Sequence, residues 1–279
     1  MLSIGITTQT NHAHAFIRQV FSYAVEEELV VINPVLGVSS PAPKRARERT
    51  LSDTELRAVW IAFSAPNIVK DTDGHPLRIS RGVGIAVRLT ALLLQRRAEI
   101  ATMRVRDLDL EQGVWLIPSD NAKNGRTHAV PLPPIARQLI TEALTLPLRP
   151  ASPFVFPSPR NEGQASIHPD ALTRAMGHTM KALRLPLAGP HDLRRTGATI
   201  MASERLRITP FVVSQVLNHI TDAGGGSATT RRHYNLHTYA VEKRAALAAW
   251  EGALSEIVGV LPGSPSRHDA GEKILWGGD

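Results

Sequence analysis

Two of the chain's three tyrosines, Tyr234 and Tyr239, stand among Arg231, Arg232, His233 and His237, just after a glycine run at 224–226. An aromatic at such a place is ordinarily core packing. The chemical alternative is a phenol that attacks an anionic centre. A free phenol ionises near pH ~10 and is a poor nucleophile at neutral pH, and neighbouring cations favour the phenolate. Elsewhere His191 and Arg194 are three residues apart, so on a helix they share a face. Gly189-Pro190 precedes them, which suits a helix N-terminus, and a guanidinium there is a planar fork for phosphate. Arg96 and Glu99 have the same spacing, so the carboxylate can hold the guanidinium in place. Lys123 lies in the turn NAKNGRTH, where an ammonium can reach a groove and protonate a leaving oxygen. His219 ends the apolar run before it. Taken singly, each has an ordinary explanation: a surface ion pair, a solvated turn lysine, a helix cap.

The elements that must position these groups follow from patterning. Residues 11–31 read as an amphipathic helix with Phe16, Val20, Tyr23 and Ala24 on one stripe, stopped by Asn33-Pro34. Residues 39–49, SSPAPKRARER, are Pro-rich and then basic. Either they are a solvated connector, or Lys44, Arg45, Arg47 and Arg49 strap a phosphate backbone. Ser52-Asp53-Thr54-Glu55 is a capping box that opens a helix through about Phe63. Residues 79–102 read as one longer apolar helical region. VWLIP (114–118) and THAVPL (127–132) read as two strands around the turn SDNAKNGR. Helices are expected at about 133–145, 169–183, 191–203, 210–219 and 238–257. The sum is a mainly α fold with a small antiparallel β-sheet, an α+β class.

Composition narrows the chemistry. The chain has 279 residues, 43% of them apolar, and no cysteine, which removes disulfides, thiolate catalysis and Cys-type zinc sites. No apolar run reaches membrane-spanning length. A net charge of +7 favours a polyanion, and nucleic acid is preferred to a membrane surface because no basic amphipathic helix with bulky anchors is present. His233 and His237 are four apart, but no third ligand accompanies them, so no metal or other cofactor is expected.

The order of the groups carries more than any one of them. Arg96 with Glu99, Lys123, HDLRRT at 191–196, LNH at 217–219 and YNLHTYAVEKRAALAAW at 234–250 together resemble the tyrosine recombinase, or phage integrase, family of prophages and genomic islands. VINPVLGV resembles the end of that family's core-binding domain and RTLSDTELRAVW the start of its catalytic domain. The resemblance implies roles. Arg96 and Arg194 would bind the scissile phosphate, with Glu99 orienting Arg96. Lys123 would be the general acid for the 5′-hydroxyl, and His191 and His219 would hold the phosphate and assist proton transfer. Tyr234 would be the nucleophile that forms a 3′-phosphotyrosyl link, leaving Tyr239 as a packing residue and Tyr23 as core of the first helix. Arg195, Arg231 and Arg232 would join the linker cations on DNA. The reaction needs neither metal nor ATP.

The implied layout is a partial core-binding segment at 1–38, a basic linker at 39–50, a catalytic domain at 51–257 and a disordered tail at 258–279. With room for about one bundle helix, the chain resembles an N-terminally truncated member. The implied partners are double-stranded attachment-site DNA, three further copies of the chain in a homotetramer on synapsed sites, and a host DNA-bending protein, in the bacterial cytoplasm at the nucleoid. The alternative is a catalytically impaired DNA-binding remnant. A type IB topoisomerase shares the chemistry, but the island-integrase-like C-terminus argues against it. One departure bears on the site: Leu93-Leu94 replaces the family's Thr-Gly, and two leucines there are expected to continue the helix and misplace Arg96.

Overall fold

The computed structural model describes residues 7–43, 49–122, 124–147, 152–161, 163–219 and 239–259. The chain divides into two compact units, Met1–Glu48 and Arg49–Asp279.

In the first unit α1 spans Thr7–Glu26, so it stops short of the expected end at 31. The stop is a left-handed cap at Glu28 (φ 59°), where the Leu29 amide reaches back to the Ala24 carbonyl at 2.8 Å. No glycine marks that cap in the sequence. The chain then folds back. The Asn33 amide donates to the Arg18 carbonyl and to Ser22 Oγ, each at 2.9 Å, and the Asn11 amide pairs with both backbone groups of Ala42. One helix and an irregular return cannot cover an apolar stripe. Phe16, Val20 and Tyr23 are exposed, which corrects the reading of Tyr23 as core.

The second unit is mainly helical with one small sheet. Its helices are α2 (Asp53–Ser64), α3 (Arg81–Leu93), α4 (Arg97–Ala101), α5 (Pro134–Thr145), α6 (Asp170–Ala182), α7 (Pro190–Ala202), α8 (Pro210–Val216) and α9 (Ala240–Val258). The strands β1 (Leu108–Asp109), β2 (Val114–Ile117) and β3 (His128–Pro131) form an antiparallel sheet in that order. Trp115 lies opposite Val130, and Ile117 opposite His128. The Ser52–Glu55 capping box is formed in full at the start of α2. The two-residue β1 is too short to announce itself by alternation.

Helix α3 is the axle of the unit. Every residue from 84 to 93 is buried, and α2, α5, α6, α7 and α9 pack around it. Apart from Arg88 and Thr90 that stretch is apolar all round, as a helix inside a core should be. Gly84 permits the approach of α2, since a Cβ there would lie 2.7 Å from the Phe63 carbonyl oxygen. The indole of Trp250 on α9 donates to the Ala91 carbonyl at 2.9 Å, so α9 is fastened to the end of α3.

The expected continuous helix over 79–102 is in fact two. Leu94 adopts the left-handed conformation (φ 55°, ψ 27°), closes α3, and lets the chain turn before α4. A left-handed leucine costs about 1–2 kcal/mol. The offset is packing: Leu94 is fully buried, and its methyls occupy the space that a side chain at Gly197 would need, beside Trp250. A leucine thus takes the glycine-like turn because α7 presents a glycine to receive it.

Candidate active site

The turn at Leu94 leaves the carbonyls at the end of α3 without helical partners. Gln95 satisfies one by donating to the Leu93 carbonyl at 2.7 Å, and the same amide reaches the Val216 carbonyl at 2.9 Å. The Leu94 carbonyl accepts from Arg194 Nη1 at 2.5 Å, and the Leu217 carbonyl accepts from Arg194 Nη2 at 2.5 Å. Leu94 caps α3 and Leu217 caps α8. The guanidinium is therefore clamped between two helix C-termini, whose partial negative charges favour a cation. Arg194 is only 3% exposed. Burial, then the charge of Arg96, lower its pKa to about 10, and it remains charged at neutral pH.

Arg96 is held by Glu99. One carboxylate oxygen accepts from the Arg96 backbone amide at 2.8 Å, the other from Nη1 at 3.0 Å. Glu99 is buried, and Arg96 keeps part of its surface open. The expectation that the two leucines misplace Arg96 is thus corrected. The break at Leu94 places Arg96 at the N-cap of α4, where Glu99 can grip both its backbone and its side chain.

The two histidines close the cluster. Arg194 Nη2 meets His219 Nε2 at 3.0 Å, and since a guanidinium only donates, that nitrogen must be unprotonated. Partial loss of water around the ring, followed by the charges of Arg194 and Arg96, lowers the His219 pKa to about 4, although the residue as a whole stays exposed. His191, on the first turn of α7, is lowered too, by burial first and then by Arg194 and Arg195. Both imidazoles feel Arg194 and Arg96, so these four side chains share one electrostatic field. Asp192 turns away to cap its own helix at the Gly189 amide, 2.8 Å away. Two fixed guanidinium groups and two neutral imidazoles, with Glu99 as counter-charge, can offer several hydrogen-bond donors to a small oxyanion.

The structure therefore brings Arg96, Glu99, His191, Arg194 and His219 together. Tyr239 caps α9 in the left-handed conformation (φ 49°), and its ring stands edge-on to Phe211 with centroids 5.0 Å apart, as a packing residue should. Arg49 is engaged by Glu55 at 2.7 Å. Arg195 is half-buried beside the cluster. Lys123, Tyr234, Arg231, Arg232, His233, His237, Lys44, Arg45, Arg47, the glycine run at 224–226 and the tail from 260 lie outside the described residues.

Several members of this region were not foreseen. Gln95 bridges two helix ends. His128 is buried on β3, with Nε2 3.3 Å from the Val216 carbonyl. Burial, then the charge of Lys243, pushes its pKa down to about 3. Lys243, on α9, is 4% exposed and donates to the Ala129 carbonyl at 2.6 Å. An alternation pattern marks His128 as inward-facing, but nothing local marks Lys243 as buried.

Residues 62–239 match the model of the Phage integrase family. The chain belongs to that family. Among curated members it is 25% identical to the prophage integrase IntZ of Escherichia coli, over 87% of this chain and 54% of IntZ. It is 27% identical to the prophage integrase IntA of the same species, over 57% of this chain and 35% of IntA. The chain spans about half the length, or less, of these relatives. Among solved structures it resembles a lambda integrase dimer bound to a COC′ core site, with a TM-score of 0.59 and 17% identity over 80% of this chain and 76% of that one. It also resembles the integrase of mycobacterium phage Brujita, with a TM-score of 0.52 and 13% identity over 90% and 77% of the two chains. The mainly helical fold with a small three-stranded sheet is the phage integrase catalytic fold. No helix among the described residues is long and apolar enough to cross a membrane.

Proposed function

We propose that this integrase-family chain cleaves and rejoins DNA strands at specific sites through a 3′-phosphotyrosyl intermediate, and that residues 51–257 form its catalytic domain. The observation that carries the reading is the double clamp on Arg194. A guanidinium fixed by two helix-end carbonyls needs no reorganisation when charge builds on a phosphate, and such preorganised donors contribute most in the transition state. Arg96, gripped by Glu99, is the second fork. Tyr234 Oη attacks the phosphorus and forms the P–O bond to tyrosine. The neutral imidazole of His191 takes the phenolic proton, while His219, whose Nε2 lone pair is held by Arg194, keeps its other nitrogen to donate to the phosphate. The P–O5′ bond breaks with its electron pair on O5′, and the ammonium of Lys123 supplies the proton that completes the 5′-hydroxyl. The covalent link keeps the ester's energy, so rejoining is the same steps reversed.

Double-stranded DNA is the proposed partner, with Arg195, Arg231, Arg232 and the cations of 44–49 on its backbone. Lambda integrase has been solved as a dimer on a core site and as a tetramer on a Holliday junction. That supports a homotetramer on paired sites; action in the bacterial cytoplasm with a host DNA-bending protein assisting is part of the same proposal. The test is a library of nicked suicide duplexes with randomised half-sites, scored for covalent protein–DNA adduct on denaturing gels. Adduct that vanishes in Tyr234→Phe and persists in Tyr239→Phe is expected. No adduct together with retained, salt-sensitive binding would leave a DNA-binding remnant instead.

A further inference from the structure

Behind Arg194 the same two helix ends are joined a second time, by uncharged groups. Gln95 is 0% exposed, and its amide is committed on both sides: Nε2 donates to the Leu93 carbonyl at 2.7 Å and to the Val216 carbonyl at 2.9 Å. Each acceptor lies one residue before a carbonyl that holds Arg194, namely Leu94 at the end of α3 and Leu217 at the end of α8. The amide therefore repeats, one residue further back, the bridge that the guanidinium makes. The α8 side has another contact. His128 Nε2 lies 3.3 Å from the same Val216 carbonyl. A carbonyl oxygen only accepts, so Nε2 carries the proton of that ring, and both lone pairs of the oxygen are engaged.

Core packing does not call for this amide. Gln95 Oε1 is buried and finds no donor among the described residues. A methionine would fill a similar volume with no buried polar oxygen. It would not bridge two helix ends that lie 121 positions apart in sequence. The last carbonyls of a helix lack helical partners, and two helix C-termini repel through their like partial charges. Held by Arg194 alone, their separation would change whenever the guanidinium turned toward an anion. A neutral amide fixes the separation beforehand, and a donor already in place contributes more to a transition state than one that must first be moved.

We propose that Gln95, with His128 supporting it, is a positioning residue that sets the spacing between the ends of α3 and α8 and so holds the Arg194 guanidinium in one orientation toward the phosphate. The catalytic consequence rests on the strand-cleavage reading above; the effect on Arg194 does not.

The experiment reads the tautomer of His219 in the full chain at neutral pH, from the chemical shifts of its two ring nitrogens, with the signal assigned by its loss in His219→Gln. Arg194 Nη2 meets His219 Nε2 at 3.0 Å, so the wild-type ring holds its proton on Nδ1. A guanidinium that drifts releases Nε2, and the proton redistributes to it. Gln95→Met is expected to show protonated Nε2 at His219 while its circular dichroism spectrum matches wild type. His128→Leu is expected to move His219 in the same direction, and His128→Gln, which returns an amide donor to Val216, to keep the wild-type signal. If Gln95→Met does not fold, the His128 pair decides. Lower stability with an unchanged His219 signal overturns the proposal, as does a wild-type ring protonated on Nε2. On the suicide duplex, Gln95→Met should slow single-turnover adduct formation by about 10-fold, less than the loss of a whole donor. It should slow Arg194→Lys no further, because the amide acts through the guanidinium; additive slowing overturns the proposal. Wild-type chain that forms no adduct defeats the strand-cleavage reading, and the His219 tautomer still decides what Gln95 does.

Discussion

Lys243→Met tests how the helix that follows the tyrosine segment is held. The ammonium of Lys243 is 4% exposed and touches the Ala129 carbonyl at 2.6 Å. Burial lowers its pKa from 10.5 to about 8. That gap corresponds to about 3 kcal/mol of unfavourable desolvation borne by the charged native state. Below pH 8 the native and unfolded chains both hold the proton, and the full cost is present. Between about 8 and 10.5 the native lysine has released its proton while the unfolded one keeps it. The unfolded state then binds more protons, so stability rises with pH and the rise is complete above 10.5. Methionine has no such titration and leaves the Ala129 carbonyl without its donor, at a cost of about 1–3 kcal/mol. At pH 7.5 the two effects nearly cancel, and the variant should unfold within about 2 kcal/mol of wild type. The decisive quantity is the slope. Urea unfolding followed by circular dichroism at pH 7.5, 8.5, 9.5 and 10.5 should show wild type gaining about 3 kcal/mol relative to Lys243→Met across that range. Other titrating groups are common to both proteins and drop out of the difference. A flat difference, or one that falls with pH, would show that the ammonium is solvated and would refute the reasoning.

Arg194→Lys replaces a planar fork by a point charge that cannot reach the Leu94 and Leu217 carbonyls and His219 together; adduct formation should fall by about 100-fold or more, measured on the suicide duplex. Gly197→Ala inserts a methyl into the space of the Leu94 side chain and Trp250. It should destabilise by about 1–3 kcal/mol, and Leu94→Ala in the same chain should recover part of that loss in a double-mutant cycle of thermal unfolding. His128 has a native pKa of about 3 against an ordinary 6.5. The unfolded chain takes the proton first, so wild type should lose stability relative to His128→Gln as pH falls from about 6.5 toward 3, by on the order of 4 kcal/mol, seen in acid unfolding curves.

Local pattern placed most of the scaffold. The Ser52–Glu55 box, Gly189-Pro190 at the start of α7, and the apolar run that becomes α3 are signals carried by neighbouring residues, so they were legible in the chain alone. The misjudged ends share one cause. Glu28 and Leu94 take left-handed caps that the sequence does not mark with glycine, and for Leu94 the reason lies 103 positions away, in the gap at Gly197.

The linear order of residue types was enough to assign the family and to nominate Arg96, Glu99, His191, Arg194 and His219, because the ordered set, and not any one group, carries the resemblance. Tertiary structure alone decided that Arg194 is clamped by the ends of α3 and α8, that His219 presents an unprotonated nitrogen to it, and that Lys243 and His128 are buried. Those are contacts between segments distant along the chain. Their energies depend on how water is excluded when the segments meet, a quantity that no single segment contains.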